Sequence, residues 1–249
     1  LTDKTGTLTE GRISFARALD PVGKPSPLAL LLGLICNEAL VEAGRAVGGN
    51  PLDAALWDAP TAADQPVAAY RRIGVVPFDH VRRRVSVLAD GPDGRILVTK
   101  GAPEGVLALC RDLPAEAAAV LEAAFRAGSR VVAVAARPTP RIATPTAADE
   151  RELTLVGFLV FLDQPKTSAA AALARLADLG VTVRILTGDN AAVAEHVWDT
   201  LGLYGGATLT GDDINRLDDD TLMARLATTR VFARLSPEQK THVIRLHRR

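Results

Sequence analysis

The segment Asp3-Lys4-Thr5-Gly6-Thr7-Leu8-Thr9 sets a carboxylate beside a glycine, three hydroxyls and a run of backbone amides. Amides of such a turn can bind an anion. A carboxylate placed there can act as a nucleophile toward a phosphoryl group, provided a divalent cation offsets their mutual repulsion. Taken alone, the same residues also describe a capped turn. Charged groups recur beside three further turns: Lys100-Gly101-Ala102-Pro103-Glu104, Thr187-Gly188-Asp189, and Phe232-Ala233-Arg234-Leu235-Ser236-Pro237-Glu238-Gln239-Lys240. Lys100 stands between a strand pattern and a helix pattern, where it could meet a nucleotide, and Gly101 permits close approach of a ligand. In the run Arg82-Arg83-Arg84, strand alternation points Arg83 away from its two neighbours. By themselves Phe78 reads as a core residue and Lys240 as a solvated helix residue.

The elements that must position these groups fall into two textures. From about Leu153 the pattern alternates strand and helix: the apolar run Leu153 to Phe161 predicts a strand buried on both faces of a parallel sheet. A helix over Ala169 to Leu179 follows, with an apolar stripe through Ala170, Leu173, Leu176 and Ala177 and a stop at Gly180. Then come a strand over Val181 to Leu186, a helix near Ala191 to Leu201, a strand over Arg230 to Ala233 and a helix from Ser236. Residues from about Ile13 to Asp149 read as mixed α+β. Helices are expected over Leu28 to Ala43, Pro51 to Ala59 and Ala115 to Ala127. Strands are expected over Tyr70 to Val76, Arg84 to Ala89, Arg95 to Thr99 and Val131 to Ala136, with Asp90-Gly91-Pro92-Asp93-Gly94 as a hairpin connection. Thr139 to Ala148 is the best linker. Asp218-Asp219-Asp220 reads as a helix start rather than a metal site. The architecture that results is an α/β doubly wound parallel sheet whose first strand ends at Asp3, interrupted by an inserted α+β domain.

Composition narrows the function classes. The 249 residues are 48% apolar and 23% charged, which excludes general disorder. Lys plus Arg and Asp plus Glu both number 29, so no global field exists to attract nucleic acid or an anionic membrane. Cys36 and Cys110 read as two buried thiols in a reducing compartment. The most apolar run, Leu28 to Cys36, is far short of the ~20 residues that span a bilayer. The opening Leu1-Thr2-Asp3 lacks a leader pattern and suggests a piece of a longer protein.

The string Asp3-Lys4-Thr5-Gly6-Thr7 is similar to the DKTGT phosphorylation motif of the P-type ATPases. That resemblance implies a haloacid-dehalogenase-like phosphorylation domain over 1–12 and 150–249, incomplete at both ends. Residues 13–149 would form the inserted nucleotide-binding domain. It implies Asp3 as the nucleophile that takes the γ-phosphate of ATP, with Asp3 and the Thr5 carbonyl as Mg²⁺ ligands. A hydroxyl at Thr5 replaces the acid of related phosphatases, which fits a long-lived phosphoenzyme. Thr187-Gly188-Asp189 resembles the TGD segment that contacts the transferring phosphoryl group. Asp163-Gln164-Pro165-Lys166 resembles the DPPR hinge, with Gln164 and Lys166 as departures; a Lys lacks the planar fork of Arg. Phe232 to Lys240 resembles FARxxPxxK, so Arg234 would bind nucleotide and Lys240 would neutralise phosphoryl charge in the transition state. Lys100 to Glu104 matches KGAPE. Phe78 corresponds to the adenine-stacking aromatic, Asp53 to the acid near the adenine amino group, and Arg83 and Arg130 to nucleotide-contacting bases of the family.

The family's GDGxND segment follows FARxxPxxK, and the sequence reaches His247-Arg248-Arg249 before it, so ATP binding without normal turnover is expected of this chain alone. Val76-Pro77-Phe78-Asp79, Leu52-Asp53 and Phe161 to Ala169 look most like the bacterial magnesium-transporting group. The implied whole is a plasma-membrane pump whose cytosolic portion this is, with ATP and the transported cation as partners, no nucleic acid, and no partner protein that the residues identify. A calcium or monovalent-cation pump, and a truncated non-catalytic ATP-binding module, stand as alternatives.

Overall fold

The structure, a computed structural model, describes residues 1–38, 40–42 and 45–248. The strands are β1 (Thr2–Asp3), β2 (Thr9–Leu19), β3 (Leu40–Glu42), β4 (Arg45–Val47), β5 (Arg71–Asp79), β6 (Arg84–Gly91), β7 (Gly94–Gly101), β8 (Arg130–Pro138), β9 (Thr154–Pro165), β10 (Ile185–Leu186), β11 (Ala207–Thr210) and β12 (Thr229–Ala233). The helices are α1 (Pro27–Ile35), α2 (Pro51–Trp57), α3 (Pro103–Leu107), α4 (Ala117–Arg126), α5 (Ala169–Asp178), α6 (Ala191–Thr200), α7 (Gly211–Asn215), α8 (Asp219–Leu226) and α9 (Pro237–His247). The fold is mixed α/β and holds both parallel and antiparallel sheets.

One compact unit comprises Leu1–Arg12, Phe125–Arg130 and Asp163–Arg249. Its sheet runs β1-β10-β12-β11 with every neighbour parallel. Ile185, Val231 and Ala233 pack with Leu173 of α5 and with Ala194 and Val197 of α6, whereas Leu186 and Phe232 pack with Leu222 of α8 and Val243 of α9. Successive strand residues point to opposite faces, so helices cover the sheet on both sides. Side-chain caps set where the helices begin. Asn190 Oδ1 accepts from Ala192 N at 2.9 Å, and Ser236 and Gln239 form a capping box ahead of Pro237. Asp218 caps α8 by accepting from Thr221 N at 2.7 Å, as the acidic run suggests.

The second unit comprises Ile13–Ala124 and Val131–Leu162. Its sheet has the order β2-β9-β8-β7-β6-β5, and the pairs β5–β6, β6–β7 and β7–β8 are antiparallel. The hairpin closes at Gly91 and Gly94 as expected. One face carries α1 and α2: Leu30, Leu34 and Leu56 pack with Val87, Val98, Val134, Leu159 and Phe161. Close approach is enforced at two glycines. A Cβ on Gly33 would lie 2.6 Å from Leu159 Cδ1, and one on Gly157 would lie 2.0 Å from Leu19 O.

Several expectations need correction. The apolar run Leu153 to Phe161 does form a strand buried on both faces, yet β9 stands between β2 and β8 in the six-stranded sheet, not in the parallel one. Burial on both faces requires only that both be covered, which does not depend on strand direction. Only Ile185 and Leu186 of the strand expected from Val181 find partners, because β1 and β12 pair with β10 at those positions alone. Along α5, Ala169 and Leu173 are buried, whereas Leu176 remains 37% exposed. The first helix ends at Ile35, with Cys36 as its cap, and Leu40–Glu42 pairs with Arg45–Val47 as strands. Ala39 and Ala43, inside the expected helix, lie outside the described residues. The segment 139–148 is packed, not free: Thr139 N donates to Arg95 O, Arg95 donates to Ile142 O, and Pro145 abuts Gly74. Cys36 is buried and Cys110 half-buried; burial pushes their thiols up to about 12 and about 11, so neither is a nucleophile at neutral pH.

The Gly33–Leu159 contact yields a coupled prediction. Leu159→Ala should destabilise the chain by about 2–5 kcal/mol in urea unfolding. Gly33→Ala alone should also destabilise, and the double variant should lose less than the sum because the new methyl enters the vacated space. Strict additivity would show that the two positions do not share that space.

Candidate functional site

The carboxyl ends of the parallel strands gather several of the candidate residues. β1 ends at Asp3, β10 leads into Thr187-Gly188-Asp189, and β12 leads into Arg234. This edge of an open parallel sheet is where ligands bind, because loops there are free to vary above a rigid frame. Asp3 is 52% exposed, and Lys240, on the first turns of α9, sets its Nζ 3.2 Å from Asp3 Oδ2 and 3.3 Å from Oδ1. Lys4 N donates to Asp3 Oδ1 at 2.8 Å. The turn behind them is compact: Leu8 N and Thr9 N both donate to Lys4 O, and Gly6 adopts a φ of 74°. Lys166 Nζ donates to Gly6 O at 2.8 Å, so the Lys at the hinge departure ties down this turn.

Beneath the exposed carboxylate lies a buried charge cluster that sequence reasoning missed. Lys4 is 3% exposed, with its Nζ 2.9 Å from Asp189 Oδ2 and 3.8 Å from Asp163 Oδ2. Asp163 also accepts from Thr9 Oγ1 at 2.8 Å and from Gly11 N at 3.1 Å. Arg130 Nη2 stands 3.4 Å from Asp189 Oδ1. Burial alone would raise the Asp189 carboxyl, but the Arg130 and Lys4 charges, with hydrogen bonds from Lys4 and Thr187, hold it below its ordinary 3.8. Thr187 is buried, and its hydroxyl is engaged with Asp189, donating to Oδ2 at 3.3 Å and accepting from Asp189 N at 3.1 Å. Gly188 is exposed, with Leu235 O 3.5 Å from where its Cβ would stand. Arg234, half-buried, adopts a φ of 56° and donates its backbone N–H to Asp189 O. The only sequence signal for Lys4 and Asp163 is their place inside the two motifs.

Asp3 and the Thr5 carbonyl supply hard oxygen donors. Mg²⁺ keeps waters and phosphate oxygens in its shell and takes only one or two carboxylates, so this donor set fits it. Among the described residues, no group of three or more His, Cys, Asp or Glu side chains is arranged to hold a metal.

The second unit gathers the other candidates. Lys100 is buried, with its Nζ 2.7 Å from Asp53 Oδ1 and 3.0 Å from Gly33 O. Asp53, also buried, accepts from Glu38 N at 3.2 Å, and Glu38 Oε1 accepts from Phe78 N at 2.9 Å. Lys100, Asp53, Glu38 and Phe78 therefore form one connected network. No motif in the sequence singles out Glu38. Phe78 is 42% exposed and meets His80 edge-on, with ring centroids 5.3 Å apart. Arg83 is not on a strand: it lies in the turn between β5 and β6 with a φ of 51°, its side chain exposed. Gly101 serves backbone packing, since a Cβ there would lie 2.4 Å from Arg83 O. Arg130 belongs to the other unit, the one that holds Asp3 and Asp189.

Residues 28–168 match the family model described as P-type ATPase, cytoplasmic domain N. The chain belongs to the P-type ATPases. It is 37% identical over 265 residues to the magnesium-transporting ATPase, P-type 1, of Salmonella typhimurium, an alignment that takes in 100% of this chain and 29% of that protein. The protein of the same name from Escherichia coli is 35% identical over 266 residues, again 100% of this chain and 29% of the relative. Calcium-transporting ATPase 1 of Lactococcus lactis is 27% identical over 274 residues, or 98% of this chain and 31% of the relative. The chain thus spans under a third of the length of these P-type ATPases. Among the described residues no helix is long and apolar enough to cross a membrane.

Two predictions follow from the cluster of charges. Lys4→Met leaves Asp163 and Asp189 without their shared cation and should cost about 3–5 kcal/mol in urea unfolding; a loss below about 1 kcal/mol would mean that Arg130 alone suffices. Because the Asp189 pKa is lowered on folding, its contribution is fully present above about pH 5 and disappears as pH falls through 3.8 toward the lower folded value. Asp189→Asn should therefore lose less stability than the unaltered chain between about pH 5 and pH 3, measured by thermal melting.

Proposed function

We propose that the chain is the cytosolic catalytic portion of a membrane-embedded P-type ATPase that couples ATP hydrolysis to cation transport, with magnesium as the cation. The single observation that carries the reading is Lys240 held at 3.2 Å from Asp3, which pairs an exposed carboxylate at a strand end with a cation brought from 237 residues away. The first unit, a parallel sheet covered by helices on both faces with candidate residues at its carboxyl edge, supports reading it as a haloacid-dehalogenase-like phosphorylation domain. The second, with Phe78, Lys100, Asp53 and Arg83, is the nucleotide-binding domain; Arg130 and Arg234, which the family resemblance also assigns to the nucleotide, belong to the first. Magnesium as cargo is favoured by the names of relatives at 35–37% identity, against 27% for a calcium-transporting one.

In this reading Asp3 Oδ attacks the γ-phosphorus of ATP, the bond from that phosphorus to the bridging oxygen breaks, and ADP departs with the electron pair. Lys240 neutralises charge on the phosphoryl oxygens. Lys4 and Lys166 hold the turn, and the Lys4 amide orients the Asp3 carboxylate. Thr5 offers no carboxylate to activate water, which leaves the aspartyl phosphate long-lived. Mg²⁺, held by Asp3 and the Thr5 carbonyl, would shield the negative charge that opposes approach.

The test uses the natural gene product in membranes. Incubation with γ-labelled ATP should give an acid-stable phosphoenzyme, absent from Asp3→Asn although that variant still binds ATP. Label that persists in Asp3→Asn would overturn the assignment. A natural product without membrane helices that binds ATP but takes no label would favour the non-catalytic module.

A further inference from the structure

We infer that Glu150 is a positioning residue that sets Arg83 for the phosphates of ATP; this rests on the reading of the second unit as a nucleotide-binding domain. Glu150 precedes β9, and its side chain has no exposed surface. Its Oε1 accepts from Arg82 Nη1 at 2.6 Å and from Ser86 Oγ at 2.8 Å, while its Oε2 accepts from Arg84 Nε at 2.6 Å. Ser86 in turn shares a 2.8 Å hydrogen bond with Thr99 of β7. A buried carboxylate is costly unless paired and hydrogen-bonded, and here both oxygens are satisfied by guanidinium groups on either side of one residue, Arg83.

That residue is the one the clamp leaves outside. Arg82 is also fixed by donation from its Nη2 to Pro77 O at 2.7 Å and from its N to Asp79 Oδ1 at 2.7 Å. Ala102 N donates to Arg83 O at 2.9 Å, and this close approach is possible because residue 101 is glycine, where a Cβ would lie 2.4 Å from that carbonyl. With its flanking side chains drawn to Glu150 and its backbone held against β7, Arg83 takes a left-handed conformation, φ 51°, and projects its guanidinium into solvent. Glu150 reaches the nucleotide only through this turn, so its removal should affect recognition of the phosphates and not of the adenosine part.

Isothermal titration of the chain with ATP and with AMP tests this in Glu150→Gln, Arg83→Ala and the double variant. Expected is an ATP affinity about tenfold lower in Glu150→Gln with AMP affinity within about twofold, and no additional ATP loss when Arg83→Ala is added. Equal losses for ATP and AMP would reduce Glu150 to a stabilising residue and overturn the inference, as would unchanged ATP binding in a folded Glu150→Gln. If Glu150→Gln does not fold, Arg82→Gln keeps the Glu150–Arg84 pair and is read in the same way. An Arg83→Ala chain that binds ATP as tightly as the unaltered one overturns the inference through its premise, and is distinguished by the Arg83 single variant alone.

Discussion

The carboxyl edge of the first unit's parallel sheet depends on one ammonium group, Lys4, with almost no access to water. It stands between Asp189 and Asp163, and those two carboxylates belong to segments far apart in the chain. A buried cation of this kind stabilises little in net terms, since desolvation offsets most of the attraction. What it does is forbid alternatives: without Lys4, Asp163 would lose its cation and Asp189 would keep only Arg130. The turn from Asp3 to Thr9, the start of β2 and the end of β9 are thereby held to one arrangement, and the exposed carboxylate of Asp3 is presented from a base that cannot easily shift.

The elements whose sequence signal is local were legible. Alternating apolar residues and a Gly-Pro turn announced β6 and β7 with their hairpin; Ser236-Pro237 and Asp218 announced the starts of α9 and α8. Elements defined by their partners were not. β2, β3 and β11 went unread because short or half-exposed strands carry weak patterns. The sheet to which β9 belongs was misjudged because an apolar run reports that a strand is covered, not what lies beside it. The same limit applies to side chains. Motifs pointed to Asp3, Lys100 and Asp189, but nothing local says that Lys100 spends its charge on Asp53, that Thr187 turns inward, or that Glu38 and Glu150 connect segments dozens of residues apart. Long-range electrostatic closure is a property of the fold, and single-sequence patterns carry no record of it.

The two units solve a similar problem with different chemistry. In each, an exposed group proposed to meet the substrate is supported by a buried ion cluster directly behind it: Lys4 with Asp163 and Asp189 behind Asp3, and Glu150 with Arg82 and Arg84 behind Arg83. The supporting residues are engaged chiefly with one another, while Asp3 and Arg83 keep exposed side chains. Rigidity and reactivity are thus assigned to neighbouring residues rather than combined in one, which lets the reactive group stay hydrated until a ligand displaces the water.

The left-handed backbone at Arg83 carries a consequence for how this position can evolve. An L-residue with a long side chain pays roughly 1–2 kcal/mol to adopt that conformation, whereas glycine does so freely and asparagine at lower cost. Selection for heat resistance alone would therefore drive residue 83 toward glycine, against any demand for a guanidinium at the rim of the second unit. Under the role proposed for Arg83, keeping arginine in this conformation trades stability for activity, and thermostable relatives are the place to see which pressure prevails.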